Sequence, residues 1–114
     1  MIAVVRLRRP SGVADDGAAM IERARAALGA LAVQPGYRWG VLGRSTDDPG
    51  LWTLTTRWHS VGDYRRGLSA WDVKLHAHPL LYEAVDEPTA FEVLLEVDSD
   101  GLVRETPSDR AADA

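Results

Sequence analysis

The chain contains no cysteine. That absence excludes disulfides, thiolate metal sites and a cysteine nucleophile, and it suits a reducing compartment. Asparagine is also missing, and Lys74 is the only lysine, so nearly all the positive charge is arginine. Such a bias, with abundant Ala, Val and Asp, fits nucleotide composition, and no single arginine is read as selected for bidentate chemistry. No apolar stretch approaches the roughly 20 residues that a membrane-spanning helix needs. Met1 to Arg9 carries its charges after its apolar run, the reverse of a secretory signal. The expectation is a cytoplasmic protein without a membrane partner.

Nucleotide and nucleophile motifs are equally sparse. Gly40-Val41-Leu42-Gly43 lies within a strand pattern and does not open a helix, so it is no dinucleotide fingerprint. Ser45 has no histidine near it in sequence and sits in no nucleophile elbow. An enzyme built on this chain is expected to use no nucleotide, metal or other cofactor held by a familiar motif.

What is present describes one small globular domain. The chain has 114 residues, 46% of them apolar and 26% charged, enough for a single core. Net charge is −4, and the early basic cluster Arg6, Arg8 and Arg9 reads as a solvated strand end. Nucleic-acid binding, which needs a basic stripe or patch, is not expected. Residues 1–98 read as the folded domain and residues 99–114 as a polar, acidic tail, expected to be disordered.

Ile2 to Leu7 is a continuous apolar run stopped by Arg8-Arg9-Pro10, the pattern of a buried strand. Asp15 and Asp16 offer N-caps to a helix whose inward stripe is Ile21, Ala24, Leu28 and Leu31, ended by Pro35-Gly36. Tyr37 to Arg44 and Leu51 to Trp58 flank the turn Asp47-Asp48-Pro49-Gly50 and read as a hairpin. In its second arm Trp52, Leu54, Thr56 and Trp58 share one face. Ser60 caps a short helix with Asp63 in the capping-box place and with Tyr64 and Leu68 inward. A second helix is expected over Trp71 to Ala77, a turn from Pro79 to Ala84, and a last strand over Ala90 to Val97.

The order strand, helix, strand, strand, helix, strand predicts a ferredoxin-like α+β domain, an antiparallel sheet with helices on one face. Both faces of the sheet are partly apolar: Val4 and Val5 point opposite ways, as do Val41 and Leu42, and Leu94 and Leu95. Helices cover one face only. A second copy stacked sheet on sheet covers the other, because large apolar patches rarely stay exposed on soluble monomers. The expected partner is therefore the chain itself, as a homodimer.

Of the 3 histidines, His76 and His78 are two residues apart, so a regular helix points them roughly 200° from each other. That spacing suits no shared metal, and no metal site is expected. Either one could face a pocket as a general base near neutral pH, or both could cover the end of a helix before Pro79. Trp39, Trp52 and Trp58 lie on adjacent strands, and Tyr64 opens the helix that follows. They could line a slot for a planar ligand or simply fill the core.

The run from Pro35 to Leu94 resembles the antibiotic biosynthesis monooxygenase family. The likeness is carried by Pro35-Gly36-Tyr37, Leu42-Gly43-Arg44-Ser45 with Asp47-Asp48-Pro49, and Trp52 through Trp58. Ser60 to Tyr64, Val73-Lys74, Pro79-Leu80-Leu81 and Phe91-Glu92-Val93-Leu94 complete it. The resemblance implies a dimeric α+β barrel with an apolar cleft between sheet and helices in each subunit. It further implies cofactor-independent oxygenation of an electron-rich, polycyclic aromatic or phenolic substrate by O₂. In that chemistry the substrate is the reductant, and a dry pocket confines the radical pair. By resemblance Trp58 and Tyr64 lie near the cleft, and Arg44 with His76 or His78 supply its hydrogen bonds. Related members degrade haem with an asparagine, a tryptophan and an axial histidine. Here asparagine is absent, and Gly67 aligns with the tryptophan. A third reading is a dimer that binds a small molecule or a protein without turnover.

Overall fold

The computed structural model describes residues 1–9 and 17–109; the proposed caps Asp15 and Asp16 lie outside these. Strand β1 (Ile2–Arg8) is followed by helix α1 (Ala18–Ala32) and by strands β2 (Tyr37–Arg44) and β3 (Leu51–Trp58). Helices α2 (Val61–Leu68), α3 (Trp71–His76) and α4 (His78–Leu81) come next. Strands β4 (Ala90–Phe91), β5 (Leu95–Val97) and β6 (Val103–Glu105) end the described chain.

The main sheet has the order β2-β3-β1-β4 with every neighbouring pair antiparallel, and the helices pack on one side of it. This is the ferredoxin-like α+β arrangement. The alternation expected of β3 holds along its whole length: Trp52, Leu54, Thr56 and Trp58 are buried and the residues between them half-buried. Ala3, Val5 and Leu7 of β1 join them in the core. The opposite face is open, with Trp39 and Val41 about half exposed beside Thr55 and Arg57.

Three expectations need correction. Helix α1 buries Met20, Ala24, Ala27, Ala30 and Leu31, whereas Ile21 is 46% exposed. Alanines let the helix approach β2 closely, so the small residues rather than the branched one face the sheet. The strand expected over Ala90–Val97 is split. Ala90 and Phe91 pair with Ala3 and Ile2, so the antiparallel register runs off the start of β1 one residue later. With no partner left there, Leu95–Val97 pairs with β6 instead.

The tail expected to be disordered from Ser99 therefore carries half of a hairpin. Its turn is built by Asp98, whose Oδ1 accepts hydrogen bonds from the backbone N–H groups of Asp100 and Leu102, both at 2.9 Å. Gly101 supplies the left-handed φ of 81° that the turn requires. Arg57 donates to both carboxylate oxygens of Glu96 and ties the hairpin to β3.

Candidate functional site

The cleft in question opens between β1, α2 and the α3–α4 segment and has a volume of ≈ 430 Å³. Val5, Leu68, Leu81 and Ala84 form its apolar walls, and Tyr64, Ser69, Lys74, His78, Tyr82 and Thr89 bring polar groups to it.

Each polar group is placed by a local rule of the chain. Ser60 caps α2 by accepting a hydrogen bond from the Asp63 N–H at 3.1 Å, which fixes the first turn and sets Tyr64 inward. The Arg66 guanidinium beside Asp63 holds its carboxyl below the usual range. Tyr64 is backed by Trp58, ring centroids 5.6 Å apart, and Tyr37 meets the other side of Trp58 at 5.3 Å. Burial pushes the Tyr64 hydroxyl above its ordinary pKa, with a hydrogen bond to Thr89 opposing the shift.

His78 opens α4 just before Pro79, and Val73, Ala77 and Leu80 anchor this corner in the core. Its Nε2 lies 2.9 Å from the Leu68 carbonyl and its Nδ1 3.2 Å from the Tyr82 hydroxyl. A carbonyl oxygen only accepts, so Nε2 carries the hydrogen. In the neutral ring Nδ1 is then the basic atom, on the Tyr82 side, where both residues line the cleft.

Of the candidate residues, Tyr64 and His78 are brought to one cleft. The remaining candidates are dispersed. Trp58 is fully buried and serves as the floor behind Tyr64. Its N–H donates to Thr56 Oγ1 at 2.8 Å. Trp52 is buried at the other end of β3, with the Arg44 guanidinium 4.7 Å above its ring. Arg44 Nε donates to the Pro49 carbonyl at 2.7 Å, so this pair stabilises the hairpin turn and does not line the cleft. Trp39 stands on the open sheet face, and His76 is exposed on α3, outside the cleft lining.

Sequence reasoning missed Tyr82, Lys74, Ser69 and Thr89 as cleft residues. Tyr82 was within reach, since it follows His78 by four residues and such pairs stack on a helical turn. Thr89 lies on a connection whose path only the tertiary fold sets. A second recess of ≈ 500 Å³ lies between Met1, the start of α2 and residues 106–109, and contains none of the candidate residues. Among the described residues no cluster of His, Asp and Glu is arranged to hold a metal ion, and no helix is long and apolar enough to cross a membrane.

Solved structures of known proteins share this fold. A variant of SnoaB, a cofactor-independent oxygenase from Streptomyces nogalater, superposes with a TM-score of 0.60 at 17% identity, covering 99% of this chain and 96% of that one. Rv0793 from Mycobacterium tuberculosis gives 0.54 at 19% identity over 97% and 98% of the two chains. A conserved protein from Methanosarcina mazei gives 0.58 at 17% over 78% and 84%. At these identities the likeness is one of fold. No curated protein matches the sequence. The family model for antibiotic biosynthesis monooxygenases matches residues 1–70, which span β1 through α2 and include Tyr64 and the sheet floor of the cleft. The chain belongs to the antibiotic biosynthesis monooxygenase family.

Proposed function

We propose that the protein is a cofactor-independent monooxygenase that oxidises an electron-rich, polycyclic phenolic substrate in the cleft beside Tyr64 and His78. The observation that carries the reading is the His78 geometry. The Leu68 carbonyl fixes the proton on Nε2 and leaves Nδ1 as a base in an otherwise largely apolar cleft.

The chemistry follows from that placement. The substrate hydroxyl replaces the Tyr82 hydroxyl at Nδ1, which then takes the phenol proton, and the phenolate becomes the electron donor. Transfer of one electron to O₂ gives a radical pair, which collapses at an activated ring carbon. For a ring CH₂ converted to C=O, one oxygen atom enters the product and the other leaves as water, so the substrate supplies every electron. The walls formed by Val5, Leu68, Leu81 and Ala84 give the radical pair an apolar surface, which a bound polycyclic substrate would close further. Tyr64, buried and braced by Trp58, forms part of the inner wall that a planar ligand would meet.

The working unit in this proposal is a homodimer. Support comes from the open sheet face with Trp39, Val41 and Phe91 and from the apolar surface of the β5–β6 hairpin, all close to half exposed or more. Haem degradation finds less support. A Cβ at Gly67 would lie 2.9 Å from the Trp58 ring, so α2 has no room there for a larger side chain.

The test is a thermal-shift screen against polycyclic phenols, quinones and haem, followed by oxygen uptake on each hit. A phenol that stabilises the protein and consumes oxygen under chelating conditions supports the proposal. Stabilisation by haem alone contradicts it.

A further inference from the structure

We propose that Lys74 makes this cleft selective for a planar aromatic bearing a carboxylate, seated with its acidic group toward the α3 end of the opening. The inference rests on the cleft being the substrate site and adds the charge of the substrate to that reading.

Lys74 is the only lysine of the chain, and it lines the same cleft as Tyr64, His78 and Tyr82. No aspartate or glutamate is among the described lining residues, although the chain carries a net charge of −4. Glu83 pairs with Arg23, Asp63 with Arg66 and Glu87 with Arg6, while Asp72 on the same helix is exposed and outside the cleft lining. Among the described residues none forms an ion pair with Lys74.

The cleft is therefore a largely apolar slot with a cation at its edge and no acid in its lining. That arrangement repels no anion and attracts one. Lys74 is exposed at the mouth, so its ammonium acts on a ligand in the slot as a partly screened charge. Lysine also presents a compact charge on a flexible four-carbon stem, able to follow an acidic group at slightly different depths. The Ser69 hydroxyl lies in the same lining and, with its hydrogen donated to the Arg65 carbonyl, can accept from a ring hydroxyl. A helix-surface lysine that only favours the α3 C-terminus gives no preference between an acid and its ester.

The experiment compares 2-naphthoate with methyl 2-naphthoate as probes, by calorimetric titration of wild type, Lys74→Met and Lys74→Glu. Wild type is expected to bind the acid about five-fold more tightly than the ester, the scale of one partly screened ion pair. That preference shrinks in about 1 M salt. It vanishes in Lys74→Met and reverses in Lys74→Glu. Equal binding of acid and ester by wild type, an acid preference that survives in Lys74→Met, or no binding of either probe overturns the proposal. On a turned-over acidic substrate, Lys74→Met raises KM and leaves kcat unchanged. A Lys74-dependent preference without oxygen uptake on any phenol keeps this inference and removes the oxygenase; oxygen uptake without the preference does the opposite.

Discussion

His78 donates its Nε2 hydrogen to the carbonyl of Leu68 at 2.9 Å, and this one contact joins the end of α2 to the start of α4 and fixes which ring nitrogen is basic. The same bond closes one side of the cleft. The chemical role proposed for His78 and its structural role are therefore separable by substitution.

His78→Gln keeps an amide donor near the Leu68 carbonyl but removes the base. Oxygen uptake on an active phenol is expected to fall by about 100-fold or more, with the thermal midpoint little changed. Uptake within two-fold of wild type, in a folded variant, removes His78 from the mechanism.

Thr56→Val tests how the cleft floor is held. The hydroxyl accepts the Trp58 N–H at 2.8 Å, and both residues are buried. The near-isosteric change strands that donor away from water at a cost of about 1–3 kcal/mol. Urea titration reads it as a lower midpoint with an unchanged slope. No loss of stability means that Trp58 finds another acceptor.

Tyr64 gives an alkaline signature. Burial raises its pKa above the ordinary 10.0, so the unfolded chain loses this proton first as pH rises. Below pH 10.0 both states keep the proton and stability is undiminished; above it, stability declines until the folded-state pKa is passed. In Tyr64→Phe the decline in urea midpoint between about pH 9 and about pH 11 should be shallower than in wild type. Some slope remains, since Tyr37 is shifted upward by burial too. Identical slopes contradict the burial assigned to Tyr64.

The open sheet face predicts self-association. Trp39→Glu, on the edge strand β2 of that face, should convert a dimer into a folded monomer in sedimentation at micromolar concentration. A wild-type protein that is already monomeric contradicts the proposed pairing.

Much of this architecture was legible in the sequence, and the exceptions have physical causes. Strand β3 was clear because its large buried side chains alternate strictly with smaller or polar ones. Ser60 and Pro79 marked the starts of α2 and α4 through capping and fixed φ. The face of α1 was misjudged at Ile21 because alanines carry little hydrophobic signal yet pack closest. The β5–β6 hairpin was hidden by its acidic composition, although Asp100-Gly101 is a turn signal. In the site, aromatic residues adjacent in the sheet suggested a cluster that the fold divides. The alternation of β2 and β3 sends Trp39 to the open face, and the length of β3 separates Trp52 from Trp58. The cleft itself joins β1, α2, α3, α4 and Thr89, a meeting that no local pattern encodes.

The most direct test is an oxygen-electrode assay of purified protein with 1,8-dihydroxyanthrone, in the presence of a chelator and against an enzyme-free control. The account predicts oxygen consumption above the control, one O₂ per molecule of anthraquinone formed, with one labelled oxygen atom from ¹⁸O₂ entering the product. Consumption no faster than the control, for this probe and for every phenol that stabilises the fold, contradicts it.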